Sequence, residues 1–106
     1  MLEGLTSITG KAHKISADGR KVVAIAGTRE ALSSSRNRVD YVIITAETNN
    51  TGVVTVGADT VVAAEATRRG IPLNAGDTIS LGGVDLANIW LDVTISGDGV
   101  TYLYLA

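Results

Sequence analysis

The stretch Ile89-Trp90-Leu91-Asp92-Val93-Thr94-Ile95-Ser96-Gly97-Asp98-Gly99-Val100-Thr101-Tyr102-Leu103-Tyr104-Leu105 decides the fold class. Its first half alternates. Ile89, Leu91, Val93 and Ile95 fall on one face, and Trp90, Asp92, Thr94 and Ser96 on the other, which is the two-residue period of a β-strand. Gly97-Asp98-Gly99 then turns the chain, because Asp tolerates left-handed backbone and Gly adopts it freely. Val100–Leu105 leaves the turn as a second strand. Tyr102 and Tyr104 share one of its faces, Leu103 and Leu105 the other. The two halves together read as a hairpin.

The same language extends back along the chain. Val39-Asp40-Tyr41-Val42-Ile43-Ile44-Thr45 is the strongest single strand. Both of its faces are mostly apolar, so it is expected between two covered layers. Lys21–Ala26, Val53–Val56 and Thr78–Leu81 are shorter β-rich runs, each stopped by glycine. Pro72 cannot donate to a central ladder, so Ile71–Leu73 is an edge or a strand start. Thr28–Leu32 has room for one helical turn, and Ser33–Asn37 reads as loop. Strands at spacings of about 8–12 residues predict an all-β fold, a small antiparallel β-sandwich of seven or eight short strands, jelly-roll-like or Ig-like. Residues 1–20, with Gly4, Gly10 and a turn signal at Ala17-Asp18-Gly19, read as an extended N-terminal arm. Residues 21–106 then form the sandwich.

Composition narrows the function classes. The 106 residues suffice for one domain. With no Phe, one Trp and three Tyr, the core has to be aliphatic. Cysteine is absent, which removes disulfides, thiolate nucleophiles and Cys-based zinc sites. The opening residues lack the basic and apolar regions of a secretory leader, and no apolar run reaches the roughly 18 residues of a membrane helix. These features fit a cytoplasmic site of synthesis and no membrane partner. Charge is divided along the chain. Residues 1–39 hold seven bases against three acids, and residues 40–106 hold two bases against eight acids. Ends of opposite sign favour contacts between copies or with an acidic neighbour.

Chemistry-bearing sets are missing. His13 is the single histidine and lies between Lys11 and Lys14 with no orienting partner in sight. The carboxylates are spread one to a loop, and Asp77, Asp85, Asp92 and Asp98 sit where Asp forms turns. Gly97-Asp98-Gly99 separates two strands and precedes no helix, so it is not a phosphate cradle. The arginine pairs are not interleaved with aromatics, which argues against nucleic acid. The expectation is a non-enzymatic protein with no catalytic residue, metal or cofactor.

What remains is surface for binding protein. Trp90 lies on the face opposite Ile89, Leu91 and Val93, and Trp is over-represented in subunit contacts. Tyr102 and Tyr104 line a strand that is apolar on both sides. These three aromatics are the expected anchors between copies, in a homo-oligomer expected to be a trimer. Lys11, Lys14, Arg20 and Lys21 of the arm, or the Arg36/Arg38 pair, are expected to meet an acidic partner surface.

Four stretches occur in a fixed order. They are Asn49-Asn50-Thr51-Gly52-Val53-Val54-Thr55-Val56-Gly57, Gly70-Ile71-Pro72-Leu73-Asn74-Ala75-Gly76-Asp77-Thr78-Ile79-Ser80-Leu81, Asp85-Leu86-Ala87-Asn88-Ile89-Trp90-Leu91-Asp92 and Gly97-Asp98-Gly99-Val100-Thr101-Tyr102-Leu103-Tyr104. Together they resemble the small β-sandwich virion proteins of tailed bacteriophages. The resemblance covers about residues 38–106, and residues 1–38 add nothing to it. It implies a capsid decoration or cement protein on the outer surface of the phage head, with the major capsid protein as partner. The same style implies, as the alternative, a tail, baseplate or fibre module that binds a host receptor or glycan. It carries no catalytic residues over to this chain.

Overall fold

The computed structural model describes residues 14–106. Lys11, His13 and most of the expected arm lie outside the described residues. Eight strands follow in order: β1 (Ile15–Val22), β2 (Glu30–Ala31), β3 (Arg38–Ala46), β4 (Val54–Gly57), β5 (Ile71–Leu73), β6 (Thr78–Asp85), β7 (Trp90–Val93) and β8 (Gly99–Leu105). Two single 3₁₀ turns, Glu65–Thr67 and Leu86–Asn88, are the only helical pieces among the described residues.

The strands form two four-stranded sheets, β1-β8-β3-β6 and β2-β7-β4-β5. Every pairing is antiparallel. The pairs nest, first strand with last, second with seventh, third with sixth and fourth with fifth. This is a long ribbon rolled up on itself, the jelly-roll form of the expected sandwich.

The core is aliphatic, as the composition requires. From the first sheet Val42, Ile44, Ala46 and Val100 point inward and are wholly buried; from the second come Val54, Val56, Leu91 and Val93. Val23, Leu32, Leu86 and Ile89 close the ends. β3 is central and holds β8 on one side and β6 on the other. Val42, Ile44 and Ala46 alternate inward, but Tyr41, Ile43 and Thr45 stay half-exposed, so the second covering layer expected for this strand is absent among the described residues.

Several expectations are corrected. The boundary between residues 20 and 21 cuts through β1. Ile15–Arg20 belong to the first sheet and pair with β8. Ala17-Asp18-Gly19 is therefore strand, not turn. Gly19 is there for room, because a Cβ would lie 2.6 Å from the ring of Tyr102. Thr28–Leu32 makes no helical turn, since Glu30–Ala31 pairs with β7. The expected hairpin across Gly97-Asp98-Gly99 is absent too. β7 and β8 lie in opposite sheets. β7 stops at Val93, and the connection steps across the sandwich through Gly97 at φ 92°. Ile95 consequently leaves the core face and is 46% exposed.

Candidate docking surface

The outward faces of the two sheets differ. On the second sheet, Thr55 and Asp92 stand side by side on β4 and β7 and point away from the core. Both are buried, because residues 58–70 fold back over them with Val61 and Ala63 inward. Asp92 pins this cover. Its Oδ1 accepts the N–H of Gly27 at 2.9 Å, and its Oδ2 accepts that of Ala63 at 2.8 Å. Val93 N–H also bonds to Oδ1 at 2.9 Å. One carboxylate thus ties two loops to the sheet.

On the first sheet no such cover exists among the described residues. Strand registers arrange its outer face in three rows. Ile15, Leu105, Tyr41 and Gly82 form the first, Asp18, Leu103, Ile43 and Ser80 the second, and Arg20, Thr101, Thr45 and Thr78 the third. The face is therefore aliphatic and aromatic at one end and hydroxyl-rich at the other. Thr45 and Thr78 hydroxyls bond at 2.8 Å across the third row. A shallow groove of about 160 Å³ runs between Asp18, Ile43, Thr45, Thr101 and Leu103. Leu105 is almost buried, while Tyr41, Ile43 and Leu103 are half-exposed and Ile15 is 58% exposed. An exposed apolar area with polar residues alongside it is a feature of protein-binding patches.

The aromatics singled out in the sequence sit elsewhere. Tyr102 and Tyr104 share the inner face of β8 with Val100 and pack against the core. The Tyr104 hydroxyl accepts the Asn37 amide N–H at 3.1 Å. Trp90 lies on the outer side of its strand as expected, half-buried beside Gly27, Thr28 and Arg29. Of the residues expected to contact partners, none belongs to the three outer rows except Arg20.

Three of the described bases pair with acids within the chain. Arg20 donates from Nε and Nη2 to Glu47 in a bidentate pair, with the Nη2 bond at 3.1 Å. Lys21 Nζ lies 3.0 Å from Glu30, and Arg36 Nε lies 3.7 Å from Asp85. Lys14 and Arg38 are exposed. The Asp85 carboxyl is held below the usual carboxylate range, first by the backbone N–H of Asn37, then by that of Ala87, with Arg36 and Arg38 adding to it. Glu30 is likewise lowered, mainly by the N–H of Ala24 and then by Lys21.

The other loop carboxylates are engaged by backbone amides. Asp98 accepts from Thr51 and Gly52 at 3.2 and 2.8 Å, and Asp77 accepts from Asn74 at 2.9 Å. Asp77 and Asp98 are turn formers, as their positions in the sequence imply, whereas Asp92 lies buried within β7. Among the described residues no group of three or more His, Cys, Asp or Glu could hold a metal ion. No helix among them is long and apolar enough to cross a membrane. No family model, no curated protein and no solved structure matches the chain.

Proposed function

We propose that the chain is a non-catalytic structural protein of a tailed-phage virion, which binds the outside of the head and bridges neighbouring capsid subunits. The observation that carries this reading is the unequal treatment of the two sheets. Residues 58–70 of the chain itself cover Thr55 and Asp92 on the outer face of the second sheet. The outer face of the first presents Tyr41, Ile43 and Leu103 in a polar frame. Two further supports are the phage-like sequence style of residues 38–106 and the jelly-roll topology, which recurs in capsid domains. The topology is support by analogy only, because a fold does not fix a function. Docking would work by burying the apolar end of the first sheet. Repetition over many equivalent positions on a shell turns modest single-site affinity into firm attachment.

Electron microscopy of virions carrying the chain, labelled with antibody against it, tests the location. Label over the head surface is expected. Label confined to the tail, or absent from the particle, refutes the reading. Leu103→Asp tests the face. The variant is expected to fold normally and to lose at least tenfold in co-sedimentation with heads stripped of the protein. Undiminished binding would exclude the first sheet as the docking surface.

A further inference from the structure

A β-sandwich exposes four edge strands, and three of these are blunted. β2 has two residues; β5 has three, with Pro72 in the middle. β1 carries Asp18, Arg20 and Lys21, and its register with β8 shifts between Ile15 and Ala17. Short length, proline, charge and irregular register are the usual protections against edge-to-edge pairing. β6 has none of them from Thr78 to Gly82. It is uncharged there, free of proline, and in unbroken register with β3. Alternate residues of an edge strand turn their N–H and C=O groups outward, so β6 offers a row of pairing groups.

The core is also incompletely closed beneath this edge. Ile79 and Leu81 of β6 point inward and pack on the core yet remain half-exposed, as does Val84. Across from them Ile71 is 53% exposed. A groove of about 300 Å³ runs between the sheets here, with Val56 and Ile89 at its floor. Among the described residues β6 is an open strand edge above an apolar groove, which is the geometry of β-strand addition.

We propose that β6 pairs antiparallel with β6 of a second copy, about a twofold axis through Ser80. Register selects this arrangement. Residues directly opposite in a sheet share a face, so inward Ile79 and Leu81 must meet inward residues. Centring the pair on Ser80 sets Ile79 opposite Leu81 of the second copy, Ser80 opposite Ser80, and Thr78 opposite Gly82. Centring it on Leu81 would set Asp77 opposite Asp85, and like charges directly opposed are unfavourable. Centring it on Ile79 would lay Asp77 beside Leu81 at the apolar groove. The Ser80 register alone matches apolar with apolar and keeps acids apart. It joins the two first sheets into one eight-stranded sheet and brings the two grooves together. An isologous pair of this kind closes on itself, so assembly stops at two copies through this edge.

This pairing uses β6 alone and does not depend on head docking, so it is tested on the purified protein by itself. Light scattering behind size exclusion is expected to give twice the 10.9 kDa chain mass. Ser80 is exposed and faces away from the core, so Ser80→Lys and Ser80→Glu should each fold and run as monomers. Mixing the two in equal amounts should restore the pair. A wild-type monomer at the highest concentration reached, a threefold mass, or an assembly that survives in both charged variants overturns the proposal. Ser80→Cys supplies a second readout, because the chain has no other cysteine. Cα atoms opposite each other in an antiparallel pair lie about 4.5–5.5 Å apart, within disulfide reach. Mild oxidation should link Ser80→Cys into a covalent dimer at least tenfold faster than Thr101→Cys on the outer face. Equal rates would refute the register.

Discussion

Replacing Asp92 with alanine should loosen the cover of the second sheet before it unfolds the protein. Three backbone amides end on this carboxylate, from Gly27, Ala63 and Val93. Their fates differ. Gly27 is exposed, so its N–H can turn to water at little cost. Ala63 is wholly buried, so its N–H is left unsatisfied unless residues 58–70 lift away. A hydrogen bond to a charged acceptor contributes about 1.5–3 kcal/mol, and an orphaned buried donor costs about 1–3 kcal/mol. Relaxation of the loop will recover part of this, which leaves an expected loss of about 2–4 kcal/mol for Asp92→Ala. Urea unfolding followed by circular dichroism measures the loss. Trp90, the single tryptophan, lies two residues away on the same face and reports local release by fluorescence. Limited trypsin digestion gives an independent reading, since the cover carries Arg68 and Arg69. Cleavage there should accelerate in the variant under conditions where circular dichroism is unchanged. A loss below about 0.5 kcal/mol, the range of ordinary surface changes, with unaltered digestion, would show that Asp92 does not hold the cover.

Two smaller changes probe other parts of the fold. Thr55 Oγ1 is buried without a hydrogen-bond partner, so Thr55→Val removes an unsatisfied group at nearly constant volume. The variant should be more stable by about 1 kcal/mol in urea unfolding, and a clear destabilisation would mean that the hydroxyl has a role. Asp85 bears on acid stability. Its folded pKa is depressed, so its stabilising effect is present above its unfolded value of about 3.9 and is lost as pH falls through the folded one. Asp85→Asn should therefore be less stable than wild type at neutral pH, with the gap closing below about pH 4. Thermal melts at pH 7 and pH 3 check this, and a constant gap would contradict it.

The sequence was most legible where the two-residue period was long. β3 and β8 could be placed from alternation alone, but which of their two apolar faces turns inward could not. Partner choice was not legible. Alternation tells which side of a strand is apolar but not which strand lies beside it, so β7 and β8 passed for a hairpin although they belong to opposite sheets. Local turn chemistry misled at Asp18-Gly19, where pairing with β8 and the ring of Tyr102 override it. The candidate surface was missed for a related reason. A strand apolar on both faces leaves open which aromatics are inward. Tyr102 and Tyr104 turn to the core side with Val100 and stay half-exposed, while Leu103, Ile43 and Tyr41 face outward. Burial of Asp92 had no signal in its own strand. It follows from residues 58–70, whose alanines gave no clear period.

The nested pairing has a consequence for biosynthesis. β8 leaves the ribosome after the other seven described strands, yet it lies between β1 and β3 in the middle of its sheet. Until residues 99–105 emerge, β1 has no neighbour and β3 is bare along one side. The nascent chain can form the β4–β5 and β3–β6 ribbons early, but it cannot close the barrel of apolar residues between them. Loss of these few codons would not give a slightly shorter protein; it would give one with no completed interior.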